Sequence, residues 1–123
     1  MSRKLLVLSA LAALLLVAAP AQAANSNVVI NPLGTYISPV TAEIPVVVVC
    51  TSPTGTASVV FSAPPGLPYT FTGNLEAICD GTQHNYTVTI TGGPFRLNAV
   101  YIVHATMTDA NGTINREGKV WLR

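Results

Sequence analysis

The chain has 123 residues, a formal net charge of +1 and a half-hydrophobic composition in which only 9% of residues are charged. That length fits one domain and excludes a large cleft between two; the apolar content excludes intrinsic disorder. Beyond residue 23, Arg96, Arg116, Lys119 and Arg123 stand against Glu43, Glu76, Asp80, Asp109 and Glu117, a net charge near −1 with no basic stripe for nucleic acid and no polybasic surface for anionic lipid.

The apolar surplus concentrates at the start. Arg3 and Lys4 precede an apolar run over residues 5–19, and Ala21-Gln22-Ala23 follows as a small-residue cleavage signal. This is the pattern of a secretory signal peptide over residues 1–23. The run breaks at Pro20, short of the ~20 residues that a membrane span needs. No Cys follows Ala23 to carry a lipid anchor, and the short positive segment points to bacterial export. The expectation is a single domain over residues 24–123 outside the cytoplasm, with no membrane span after cleavage. Two cysteines in an exported chain predict one disulfide, Cys50–Cys79. Closing that loop is worth about 3–4 kcal/mol through the unfolded state. Intermolecular pairing and a metal pair are the alternatives, and the lack of clustered histidines disfavours the metal.

Past the leader, Val, Ile, Thr and Tyr dominate and nothing reads as helix. Gly and Pro punctuate the chain at the spacing of an all-β sandwich or barrel. Residues 28–30 form a first short strand, turned by Pro32-Leu33-Gly34 and continued over 36–38, where Pro39 marks an edge. Residues 43–51 form the second and most apolar strand, and 56–62 the third, after the Pro53-Thr54-Gly55 turn. The fourth covers 69–72, between Pro64-Pro65-Gly66 and Gly73-Asn74, and the fifth 75–79. The sixth is 85–91, the seventh 99–108 and the last 114–122. The Asn111-Gly112 pair before the last strand is a hairpin signal, since both residues tolerate positive φ.

Alternation assigns faces. Tyr86, Val88 and Ile90 point inward, with Thr87, Thr89 and Thr91 outward; Tyr101, Val103, Ala105 and Met107 share the inner face of the seventh strand. Ala57, Val59 and Phe61 face in from the third strand, and Val120 and Leu122 from the last, which puts Trp121 and Lys119 outside. A slip of one residue in the last strand would bury Trp121 instead. In the second strand Ile44, Val46, Val48 and Cys50 fill the core face, but Val47 and Val49 are apolar too, which calls for cover from another segment or another chain.

The segment from Leu97 through Tyr101 and Asp109 to Gly112, with Tyr on alternating apolar residues and then Thr108-Asp109-Ala110, resembles the late strands of bacterial immunoglobulin-like (fibronectin type III-like) domains. That resemblance implies an antiparallel β-sandwich of seven or eight strands, in a family used for adhesion, spacing and scaffolding. It also implies that the bridge staples the rim of one sheet. One departure is that Val103 stands where a tyrosine corner places Cys.

Chemistry-bearing residues are few. His84 lies in a turn and His104 on an outward face, while Asp80 and Asp109 sit in turns, where Asp caps its own backbone. No nucleophile elbow, zinc helix, phosphate loop or redox Cys pair occurs. No catalytic residue, metal or cofactor is expected; calcium between Asp80 and Asp109 would need six to eight oxygens. Asn85-Tyr86-Thr87 and Asn111-Gly112-Thr113 match glycosylation sequons, and the Thr87-Thr89-Thr91 ladder reads as a wet strand face. The candidate interaction patch is Val60, Ile102, His104 and Trp121, on the outer face of the third, seventh and last strands. These features predict a secreted, non-catalytic binding or interaction domain with a protein or cell-envelope partner. The alternative is a small inhibitor of an extracellular hydrolase that acts through the loop over residues 63–68.

Overall fold

The structure is a computed structural model that describes residues 26–123; the leader expected over residues 1–23 lies outside them. Eight strands fill it: β1 (Asn27–Ile30), β2 (Leu33–Ser38), β3 (Thr41–Val49), β4 (Thr51–Ser62), β5 (Thr70–Asp80), β6 (His84–Gly93), β7 (Val100–Asp109) and β8 (Gly112–Leu122). Among the described residues no helix is long and apolar enough to cross a membrane.

Four long antiparallel pairings form the wall. β3 runs beside β6 from Thr41↔Thr91 to Val48↔His84. β4 carries β5 on one edge and β7 on the other, and β7–β8 is a hairpin from Val100↔Trp121 to Asp109↔Gly112. Three short pairings join these ribbons. β5 reaches β6 only at Thr70–Thr72 against Gly93–Thr91. β2 pairs with β3 around Thr35↔Glu43 and, in parallel, with β8 at Leu33↔Trp121 and Gly34↔Leu122. The ring β3-β2-β8-β7-β4-β5-β6 is therefore closed, and β1 lies against the rest of β3.

This corrects the expected fold class. The sheet is a seven-stranded barrel and not an open immunoglobulin-like sandwich of seven or eight strands. The physical reason is found at two glycines that read as turns. Gly73-Asn74 does not end a strand: β5 runs through it, and a Cβ on Gly73 would lie 2.8 Å from Ile90 Cγ2 and 2.9 Å from the Thr89 carbonyl oxygen. Gly34 likewise sits inside β2, where a Cβ would meet Val120, Leu122 and the Glu43 carbonyl oxygen at 2.9 Å. Without side chains these positions let backbones pack closely, and each lies at a closing seam. Closure removes most of the free edge that a sandwich leaves. The Pro53-Thr54-Gly55 stretch is also no turn between strands; it is a bulge within β4, with Gly55 at φ +83°.

The interior follows the alternation. Ile44, Val46, Val48, Val59, Phe61, Ile90, Val103, Met107, Val120 and Leu122 are essentially sealed from solvent. Val28 of β1 joins them, and Ile30 packs over Gly118 of β8. Two tyrosines serve the places where strands splay apart. The Tyr86 hydroxyl accepts the Ile78 N–H at 2.7 Å where β5 has left β6, and the Tyr69 hydroxyl accepts the Ile102 N–H at 2.8 Å beyond the end of the β4–β7 pairing. Each replaces a missing ladder partner.

Cys50 and Cys79 form the disulfide, with Cα atoms 4.6 Å apart. Cys50 links β3 to β4, and its neighbour Thr51 pairs with Asp80, so the bridge closes one end of the barrel between adjacent strands. The Gly81 N–H donates to the Cys50 carbonyl at 2.8 Å and reinforces the same corner.

Candidate binding face

The register along β7 determines which outward residues meet. Val100 lies opposite Trp121, Ile102 opposite Lys119, His104 between Glu117 and Ser62, and Thr106 between Asn115 and Val60. All four residues of the sequence-derived patch thus lie on the outer face of β4, β7 and β8. They do not form one contiguous apolar area. Val60 is six residues along the ladder from Trp121, roughly 20 Å at strand rise, with charged and polar rows between.

Trp121 has other neighbours. It is 41% exposed, flanked by Leu33 of β2 at 46% and Val100 of β7 at 57%. The Arg123 guanidinium lies 4.9 Å from the Trp121 ring centroid, within cation–π range. Backbone bonds fix this row: Trp121 N–H to the Pro32 carbonyl at 2.8 Å, Leu122 N–H to Ala99 at 2.9 Å and Tyr36 N–H to Arg123 at 3.0 Å. Leu33 escapes a sequence reading because the parallel β2–β8 pairing has no local signature, whereas Val100 meets Trp121 through the β7–β8 hairpin, whose register runs from the Asn111-Gly112 turn.

The row continues onto the end of the barrel opposite the disulfide. The 94–99 segment is tied to the turn at Pro39 by the Phe95 N–H, at 2.7 Å, and to the C-terminus by Asn98 N–H to the Leu122 carbonyl, at 2.7 Å. Beneath it, Tyr69, Phe71, Phe95 and Tyr101 close the core with ring centroids 4.8 to 6.0 Å apart. The Tyr101 hydroxyl accepts the Arg96 N–H at 2.7 Å and donates to the Pro94 carbonyl at 3.3 Å. That clamp holds Arg96 and Leu97 outward, where both are exposed, together with Val40 and Ile37. In the neighbouring 63–68 loop, Pro65 and Gly66 form the exposed tip.

The disulfide end is polar. His84 Nε2 lies 2.9 and 3.1 Å from the two Asp80 oxygens, and Asp80 Oδ1 also accepts the Thr82 hydroxyl and N–H. These bonds, the Thr82 hydroxyl first and His84 next, hold the Asp80 carboxyl well below the usual carboxylate range. Asp109 accepts from the Ser26 hydroxyl at 2.6 Å and the Asn111 N–H at 2.8 Å, while the Asn111 amide donates to Ser26 and Thr51. Both carboxylates are thus engaged by their own turns. No cluster of three or more metal-ligating side chains occurs among the described residues.

Two further features complete the surface. Ser62, His104 and Glu117 stand abreast across β4, β7 and β8, a nucleophile-base-acid order, on strands whose backbone groups are used in ladders. The outer faces of β1, β3 and β6 form a groove of about 520 Å³ lined by Val29, Pro32, Pro45, Val47, Asn85 and Thr87. The half-buried Val47 and Val49 lie along this side, next to β1.

No protein-family model, curated protein or solved structure matches the chain. With the closed ring, this withdraws the resemblance to immunoglobulin-like domains.

Proposed function

We propose that the chain is an exported, non-catalytic binding or interaction domain of the extracellular space or cell envelope, and that the Leu33–Trp121–Val100 row is its contact surface. The observation that carries this reading is Trp121, held half out of the wall between two exposed aliphatic side chains. A large aromatic in an apolar row with an arginine beside it has the composition of a binding hot spot. The leader pattern over residues 1–23 and the Cys50–Cys79 bridge support a location outside the cytoplasm, to which bacterial export belongs.

The test is retention on the envelope fraction of the producing cell. Trp121→Ser is expected to lose retention at an unchanged melting temperature. Full retention with a lower melting temperature would return Trp121 to a structural role. The exposed Pro65-Gly66 tip favours a second reading, an inhibitor of an extracellular hydrolase. A panel of extracellular proteases assayed with the purified protein separates the two, since only the inhibitor reading expects slowed turnover at micromolar concentration.

A further inference from the structure

We infer that the end of the barrel bearing Arg96, Arg123 and Trp121 docks on an anionic lipid surface. This rests on the binding reading above and names the partner's chemistry.

The argument is one of charge segregation. The segments that form this end, residues 39–40, 63–69, 94–99 and 121–123, contain two arginines and no Asp or Glu side chain. At the opposite end stand Asp80 and Asp109, each hydrogen-bonded within its own turn. The net charge near −1 conceals this division, because the acidic end cancels the basic end in the sum. Charges of one sign gathered at one end act locally, within about a Debye length.

Apolar side chains share the basic end. Val40 and Leu97 are exposed in its turn and loop, and Trp121 and Val100 lie at its margin. The loop that carries Arg96 and Leu97 is pinned by the Tyr101 hydroxyl and by the Asn98 bond to the C-terminal strand, so this arrangement exists before any partner arrives. Trp with Arg beside aliphatic residues is the composition that settles at a membrane–water interface, with the rings among headgroups and the guanidinium groups on phosphates. The barrel itself stays outside the bilayer.

The test uses purified chain lacking residues 1–23, whose barrel lies wholly within the described residues, with circular dichroism as a check on the fold. It is sedimented with vesicles of phosphatidylglycerol and phosphatidylethanolamine, and separately with vesicles of phosphatidylcholine, while Trp121 emission is recorded. The expected result is binding to the anionic vesicles with a blue shift of Trp121, weakened by salt. Arg96→Gln with Arg123→Gln should reduce the partition roughly 20- to 30-fold, about fivefold per cation. Absence of binding, equal binding to phosphatidylcholine, or an undiminished double variant each overturns the inference. Trp121-dependent retention on the cell envelope without vesicle binding would overturn the lipid assignment alone and leave a protein or glycan as the partner. Loss of both would remove the binding reading as well.

Discussion

Gly73 of β5 and Ile90 of β6 touch at the seam that closes the barrel: a Cβ on Gly73 would come within 2.8 Å of the Ile90 side chain. The Thr89 carbonyl is almost as near, so the obstruction includes backbone that cannot swing aside. Gly73→Ala is therefore expected to destabilise the protein by about 1–3 kcal/mol, the usual cost of overpacking. Urea unfolding measures it. An unchanged midpoint would mean that the β5–β6 contact is looser than the structure has it.

The bridge between Cys50 and Cys79 constrains a loop with a sequence separation of 29. Replacing both cysteines with alanine is expected to cost about 3–4 kcal/mol, chiefly by freeing the unfolded chain. Unfolding of the oxidised protein against the double variant gives the difference. A loss under 1 kcal/mol would mean that residual unfolded structure already holds that loop together.

The two splay-bridging tyrosines make a graded pair. Tyr69→Phe leaves the Ile102 N–H without an acceptor in partly buried surroundings, whereas Tyr86→Phe exposes the Ile78 N–H to water that can replace the lost bond. Tyr69→Phe is expected to cost about 1–2 kcal/mol and Tyr86→Phe less, since burial sets the penalty for an unmade hydrogen bond. Amide exchange at Ile102 should rise in the first variant. Equal costs would contradict the solvent argument.

Asp80 provides a pH signature. Its carboxyl titrates below the ordinary value of 3.8 because Thr82 and His84 bond its ionised form. A depressed folded-state value contributes stability that is fully present above the unfolded value and lost as the pH falls through the folded one. The exposed position keeps this contribution small. Carboxyl NMR should place the Asp80 midpoint below the ordinary value of 3.8, and Asp80→Asn should flatten the stability profile on the acid side of about pH 4. A midpoint in the ordinary carboxylate range would show that the Asp80–Thr82–His84 turn is not formed in solution.

Strand faces were legible from sequence where one side of the wall is dry and the other wet. Val88 and Ile90 against Thr87, Thr89 and Thr91 gave the β6 register, and Val120 with Leu122 turned Trp121 outward. Closure was not legible. Glycine signals a turn and a close backbone approach with the same letter, so Gly34 and Gly73 read as punctuation when they are seams. The surface was half legible for the same reason. Trp121 could be placed on a face by alternation, but its flank by Leu33 depends on a parallel pairing between the two ends of the chain. Strand neighbours place Val60 and Trp121 on one face, but the offset that separates them lies in the register, which alternation does not carry.

Trp121 is the chain's single tryptophan, so its fluorescence reports on the proposed contact surface directly. The decisive measurement is acrylamide quenching of the folded protein, alone and after addition of envelope membranes from the producing cell. The binding account predicts ready quenching in the free protein and shielding once membranes are added. A free protein already shielded from the quencher, or one whose quenching the membranes leave unchanged, would contradict it.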